Sequence, residues 1–158
     1  MDYTHYVLAR TVHVLAVVLW IGGVAFVTTV LLPALYKAQV DEPMALFEQL
    51  EGRFSLQAKF TTLLAGISGF YMLAFTGWGR LSADGAWWLH LMIAVWAVFT
   101  AVLFVFEPLF LHRWFKRSAA RNPQKTLKTV LWMHRLLLSA SLVAVAGGVA
   151  GAHGLSFF

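Results

Sequence analysis

The sequence predicts an all-α integral membrane protein: a four-helix bundle with its N-terminus and C-terminus both on the outer side. Three observations carry that prediction. The 158 residues are 60% hydrophobic and only 12% charged, against about 25% charged in an ordinary soluble domain. The apolar residues gather into four runs, each close to the ~20 residues that cross a bilayer at about 1.5 Å per residue. The basic residues collect in the two connections that would share one side of the membrane. The four runs take up most of the chain, so a single transmembrane domain over 1–158 is expected.

The first span is expected over about 7–35, closing near Pro33 and Lys37. It reads as a retained helix and not a cleaved leader. Met1-Asp2-Tyr3-Thr4-His5-Tyr6 has no basic n-region, and the apolar run is too long. In the connection that follows, Asp41-Glu42-Pro43 has the form of a helix start. Leu46, Phe47, Leu50 and Phe54 then recur at helical spacing, while Glu48, Glu51 and Arg53 point elsewhere. A short amphipathic helix on the inner membrane surface is expected there. The second span, about 60–77, is the shortest; the third runs over about 87–111 and the fourth over about 130–152.

Charge sets the orientation. The connection between spans three and four holds Arg113, Lys116, Arg117, Arg121, Lys125 and Lys128, and that between spans one and two holds Lys37, Arg53 and Lys59. The connection between spans two and three has only Arg80. Short basic loops stay in the cytoplasm, and one orientation satisfies both. The hydropathy excludes a nucleic-acid binder as the reason for the net charge of +5; the basic residues are topogenic and face the lipid bilayer. The expected location is a bacterial inner membrane. Trp78, Trp87, Trp88, Trp114 and Trp132 fall near expected interfaces, where tryptophan is enriched.

Histidine is the residue through which chemistry is expected. The absence of cysteine removes disulfides, thiolate metal sites and covalently attached haem. An ionisable residue inside a span is costly unless paired, hydrated or coordinating, which makes each one a functional-site candidate. His13 and His90 fall on spans one and three at matched depth below the outer surface, differing by about 3 Å at the helical rise. Two imidazoles on two helices suit the axial positions of an iron porphyrin. Arg10, three residues before His13 and nearer the surface, is placed for a haem propionate. Trp20 is a packing residue or cofactor neighbour, and Gly23, Gly66, Gly69 and Gly147 are small surfaces for a flat ring. The same glycines also suit close helix packing. His134, near the inner end of span four, marks a second metal site or a hydrogen-bonded core histidine. Its candidate partners are His112 and Glu107. His5, His13, His90 and His153, with Met92, form an alternative outer-side set for copper or zinc.

These residues carry a family resemblance. Arg10-Thr11-Val12-His13-Val14-Leu15-Ala16-Val17-Val18-Leu19-Trp20-Ile21-Gly22-Gly23 resembles the first helix of CopD-type copper-resistance membrane proteins and of HemJ-type protoporphyrinogen oxidases. Trp88-Leu89-His90 resembles the opening of the third HemJ helix. The resemblance implies a four-helix, haem-binding membrane protein with His13 in the family's key histidine position. Met92 stands where the HemJ enzymes have an essential lysine, and Arg10 replaces their usual first-helix lysine. The first departure argues against porphyrinogen oxidase activity.

Three functions are therefore expected in order. First comes a haem b protein in electron transfer or small-oxidant redox chemistry, its haem near the outer face between spans one and three. Its redox partner would be a quinone or an electron-transfer protein. The second is a copper or zinc protein, and the third a cofactor-free structural subunit. A homo-oligomer is compatible with each. No phosphate-binding glycine loop, nucleophile elbow or metalloprotease histidine pair occurs.

The orientation can be tested directly, because the native chain offers no thiol. In intact cells, Ser82→Cys should react with an impermeant maleimide, and Ser118→Cys only after the membrane is opened. The opposite labelling pattern would invert the topology.

Overall fold

A computed structural model describes residues 2–37 and 43–154. Its described residues form helices and turns, with no strand among them. Helix α1 covers Tyr3–Phe26, a π-helical stretch Val27–Leu31 follows, and α2 covers Leu32–Lys37. Together they make the first span, Tyr3–Lys37. Helix α3 is Pro43–Thr76, a 3₁₀ turn covers Trp78–Ser82, and α4 is Trp87–Ala101. A second π-helical stretch, Val102–Leu111, leads into α5 (His112–Arg121), and α6 covers Pro123–Ala152. Four helical stretches are long and apolar enough to cross a membrane, so the fold is that of a multi-pass membrane protein.

Local chemistry explains the boundaries. The Asp2 carboxylate accepts from the Thr4 N–H at the start of α1. The Asn122 side chain does the same for the Lys125 N–H ahead of Pro123, a helix start with proline in the first turn. Gly77, at φ 96°, turns the chain out of α3 in a conformation that penalises any Cβ. The two π-helical stretches lie at prolines: Val27–Leu31 ends two residues before Pro33, and Val102–Leu111 contains Pro108. Proline lacks an N–H and crowds the carbonyl one turn back, and widening the turn relieves both defects without ending the helix. The first span therefore continues past Pro33 to Lys37.

The four spans pack as two antiparallel pairs. Helix α1 lies along α3, and α4 along α6; contact between the pairs is thinner. Several interactions cross that seam. Trp20 meets Phe99 edge-on at 4.8 Å between ring centroids. The Trp96 indole N–H donates to the Thr62 carbonyl at 3.0 Å. Lys59 Nζ pairs with Glu107 Oε1 at 3.0 Å. One apolar core joins Ala16, Trp20, Val24, Ala65, Val95, Phe99 and Ala144 around the middle of the bundle. A second joins Leu32, Leu35, Phe115, Leu127 and Leu131 at the end that carries the basic connections. Large apolar side chains such as Leu15, Val18, Ile67 and Val149 remain exposed around the outside, as expected where hydrocarbon replaces water.

One expectation from sequence needs correction. The amphipathic segment is not a separate surface helix: α3 runs unbroken from Pro43 to Thr76. Gly52 costs the helix about 1 kcal/mol without ending it. Asp41 and Glu42 lie outside the described residues. Lys59, which reads as a boundary of the second span, finds a carboxylate in Glu107, which also accepts from Ser55 Oγ at 2.6 Å. A paired charge can enter a span that an unpaired one would end. The connection between spans three and four is largely helical. In α5, Phe115 is buried while Arg113, Arg117 and Arg121 are exposed.

The Lys59–Glu107 pair is the only salt bridge among the described residues, and it is partly buried. Glu107→Leu should lower stability by about 2 kcal/mol, since it strands the ammonium. Adding Lys59→Leu should recover most of that loss. Chemical or thermal unfolding in mild detergent measures both, and a double variant as unstable as the single one would contradict the pairing.

Candidate functional site

The site is built on Gly66-x-x-Gly69 of α3. In an α-helix each carbonyl accepts from the N–H four residues on and keeps a second lone pair, which side chains near the next turn usually cover. Gly66 lies four residues after Thr62, and Gly69 four after Ala65. Without side chains at these glycines, both carbonyls are open to donors from neighbouring helices. Trp96 of α4 fills the first gap, and its indole N–H reaches the Thr62 carbonyl. A Cβ at Gly66 would lie 2.6 Å from that indole. His13 of α1 fills the second gap, with Nδ1 2.9 Å from the Ala65 carbonyl and 3.2 Å from Ser68 Oγ. A Cβ at Gly69 would lie 3.1 Å from His13 Cε1.

The carbonyl decides the tautomer. An oxygen that only accepts must face a donor, so Nδ1 carries the proton and Nε2 keeps its lone pair. Nε2 makes no hydrogen bond among the described residues and is not among the sealed, unpartnered atoms. A metal-binding histidine is commonly arranged in this way, with one nitrogen held by a carbonyl and the other free to coordinate. His13 is half-buried, and Arg10, one turn further out, is exposed.

The remaining histidines bond within their own helices. His90 Nδ1 meets the Ala86 carbonyl at 3.1 Å, His134 Nδ1 that of Val130 at 3.0 Å, and His153 Nδ1 that of Val149 at 2.8 Å. His90 is exposed, and no hydrogen bond or shared partner joins it to His13 among the described residues. Glu107, expected as a partner of His134, engages Lys59 and Ser55 instead. The His112 side chain lies outside the described residues. His5 is exposed at a groove of about 350 Å³ between α1 and α3, which Ser68 and Tyr71 also line.

The other small residues receive protein side chains. Gly23 packs on Phe54, Gly147 on Trp87 and Trp88, Gly148 on Met92 and Gly151 on Trp88. Trp20, buried against Phe99, belongs to the core. In this conformation the glycines therefore admit aromatic rings of the chain itself. Met92 is occupied in packing between α4 and α6. What sequence reasoning missed is the link from each glycine to the carbonyl four residues before it. The motif spacing contained that information, but the identity of each donor did not.

Comparison with family models, with curated proteins and with solved structures gives no match. The geometry therefore stands alone.

Gly66→Leu and Gly69→Leu should each lower the thermal midpoint, because each expels a half-buried ring from a carbonyl it bonds. Gly22→Leu, where nothing lies within 4 Å of the added carbon, is the control and should have little effect. Equal midpoints for all three variants would contradict the role assigned to the two glycines.

Proposed function

We propose that this chain is a b-type haem-binding membrane protein in electron transfer or small-oxidant redox chemistry, in which His13 would hold the haem iron. The observation that carries the reading is the cross-helix bond from His13 Nδ1 to the Ala65 carbonyl. It holds the imidazole against a second span in the tautomer that presents Nε2 for coordination. The resemblance of the first helix to HemJ-type and CopD-type proteins supports the same residue. Haem b would supply a one-electron centre near one end of the bundle. Arg10, exposed one turn beyond His13, would meet a propionate where it leaves the hydrocarbon.

The donor chemistry fits the group, and the packing sets a condition on it. A ring lying between spans one and three would have to displace Trp96 from Gly66 or enter beside it. His90, with Nδ1 held by Ala86 and the ring exposed, is the candidate second residue that would hold the haem iron. Holding by both histidines would favour electron transfer, and holding by His13 alone would favour small-oxidant chemistry. His134, held by Val130 inside its own helix, is the candidate for a second site.

The haem reading is preferred to copper or zinc for a reason of donor number. A structural or catalytic zinc site takes three or four protein ligands, and among the described residues no three of His, Asp or Glu converge. A haem takes one or two. The orientation that accompanies this reading puts both termini and the His13 end outside and the basic connections inside, in a bacterial inner membrane. The redox partner would be a quinone or an electron-transfer protein.

Haem-replete expression and purification should give a Soret band and a pyridine haemochrome of the b type. His13→Ala should remove the band. His90→Ala should shift it from low-spin to high-spin if His90 is the second ligand. Purified protein with no Soret band, or a band that survives His13→Ala, would refute the assignment.

A further inference from the structure

Most hydroxyls in this bundle bond locally. Thr11, Thr28, Thr29, Thr61, Thr76, Thr126 and Thr129 each donate to the carbonyl four residues back, and so do Ser68 and Ser141. This habit keeps polar hydrogens bonded where the surroundings offer no water. Two threonines and one tryptophan among the described residues find no partner at all. Thr62 Oγ1, Thr100 Oγ1 and Trp20 Nε1 are buried without a hydrogen-bond partner. Thr62 is 0% exposed and Trp20 4%. Native interiors rarely leave such groups unpaired, and bound water is a common reason when they do.

Their placement argues that they act together. They come from three different spans. The Trp20 ring meets Phe99, the neighbour of Thr100. Trp96, one turn before Thr100, donates to the Thr62 carbonyl. All three groups thus lie at one level on the thin seam between the two helix pairs. Seven residues from Thr62 on α3 is Ser55, a spacing that holds roughly to one face of an α-helix and spans about 10 Å along it, and Glu107 lies on the π-helical stretch that continues from Thr100. Ser55 and Glu107 are bonded to each other, with Lys59 on the same carboxylate oxygen. The Lys59 and Glu107 side chains are 30% and 27% exposed, so this end of the seam is open to its surroundings.

The geometry points to a hydrated track along this seam: water enters at the Lys59–Glu107 pair and binds Thr62, Thr100 and Trp20 at the membrane centre. A buried water needs two to four polar partners, and the centre offers three. In the closed packing these atoms are out of reach of solvent, so the track fills when the seam parts by about 3 Å, the diameter of a water molecule. Such a track gives protons a route from the basic-loop end to the middle of the bundle without a bare charge crossing hydrocarbon. It does not depend on haem, and its test uses the haem-free protein.

Two measurements on the full chain in lipid nanodiscs decide it. Ultraviolet resonance Raman, with Trp20→Phe subtracting the other tryptophans, should show the Trp20 indole N–H hydrogen-bonded. That proton should exchange in deuterium oxide within minutes, and at least tenfold more slowly in the Lys59→Leu/Glu107→Leu double variant. The second measurement is the thermal midpoint of Thr62→Val and Thr100→Val. Both midpoints should fall, since each change removes a partner of bound water. In a dry seam the same near-isosteric changes would remove an unsatisfied hydroxyl and raise the midpoint. A free indole N–H, an exchange rate unchanged in the double variant, or a raised midpoint overturns the track.

Discussion

In hydrocarbon a polar group has only the protein to bond with, and in this chain two glycines one turn apart determine where that bonding occurs. Gly66 and Gly69 leave the Thr62 and Ala65 carbonyls uncovered, and a tryptophan from one side and a histidine from the other take the vacant lone pairs. These bonds join α3 to both α4 and α1. They place α3 at the centre of the arrangement and give His13 a defined ring orientation. The reading of His13 as a ligand depends on that orientation.

The same two positions explain why the bundle has the form of two pairs meeting at a seam. Helices α1 and α3 touch along much of their length, whereas α3 and α4 meet chiefly through Trp96 near the middle and the Lys59–Glu107 pair toward one end. Large side chains inserted into small gaps hold a helix pair locally and leave space elsewhere along the contact. The Trp87, Trp88 and Met92 side chains seated on Gly147, Gly148 and Gly151 do the same for α4 and α6. The small residues are thus used by side chains of the protein itself, and a cofactor between the pairs must compete with Trp96.

Much of the architecture was legible in the sequence, because a membrane span is a composition before it is a conformation. Four apolar runs were readable, and four helices long and apolar enough to cross a membrane are found among the described residues. The pairing of Lys59 was not readable, because its carboxylate lies 48 residues away in sequence. The surface helix was misread because amphipathic spacing cannot distinguish a separate helix from the first turns of a longer one. The candidate site was legible residue by residue but not as an arrangement. His13 and Gly69 were both singled out, yet their contact depends on which helices are neighbours, and no periodicity in a single helix encodes that. The same limit applied to Glu107, assigned by proximity of depth to His134 and found on Lys59 and Ser55.

The protonation state of the His13 ring tests the central claim most directly. In bilayer-reconstituted, haem-free protein with nitrogen-15 labelled histidine, solid-state NMR distinguishes a protonated imidazole nitrogen from a bare one. The arrangement described predicts a neutral ring with the proton on Nδ1, correlated through space with the Ala65 carbonyl carbon, and a bare Nε2. A proton on Nε2, or an Nδ1 with no neighbouring carbonyl from α3, would contradict it, and His13 would lose its claim as the ligand this fold presents.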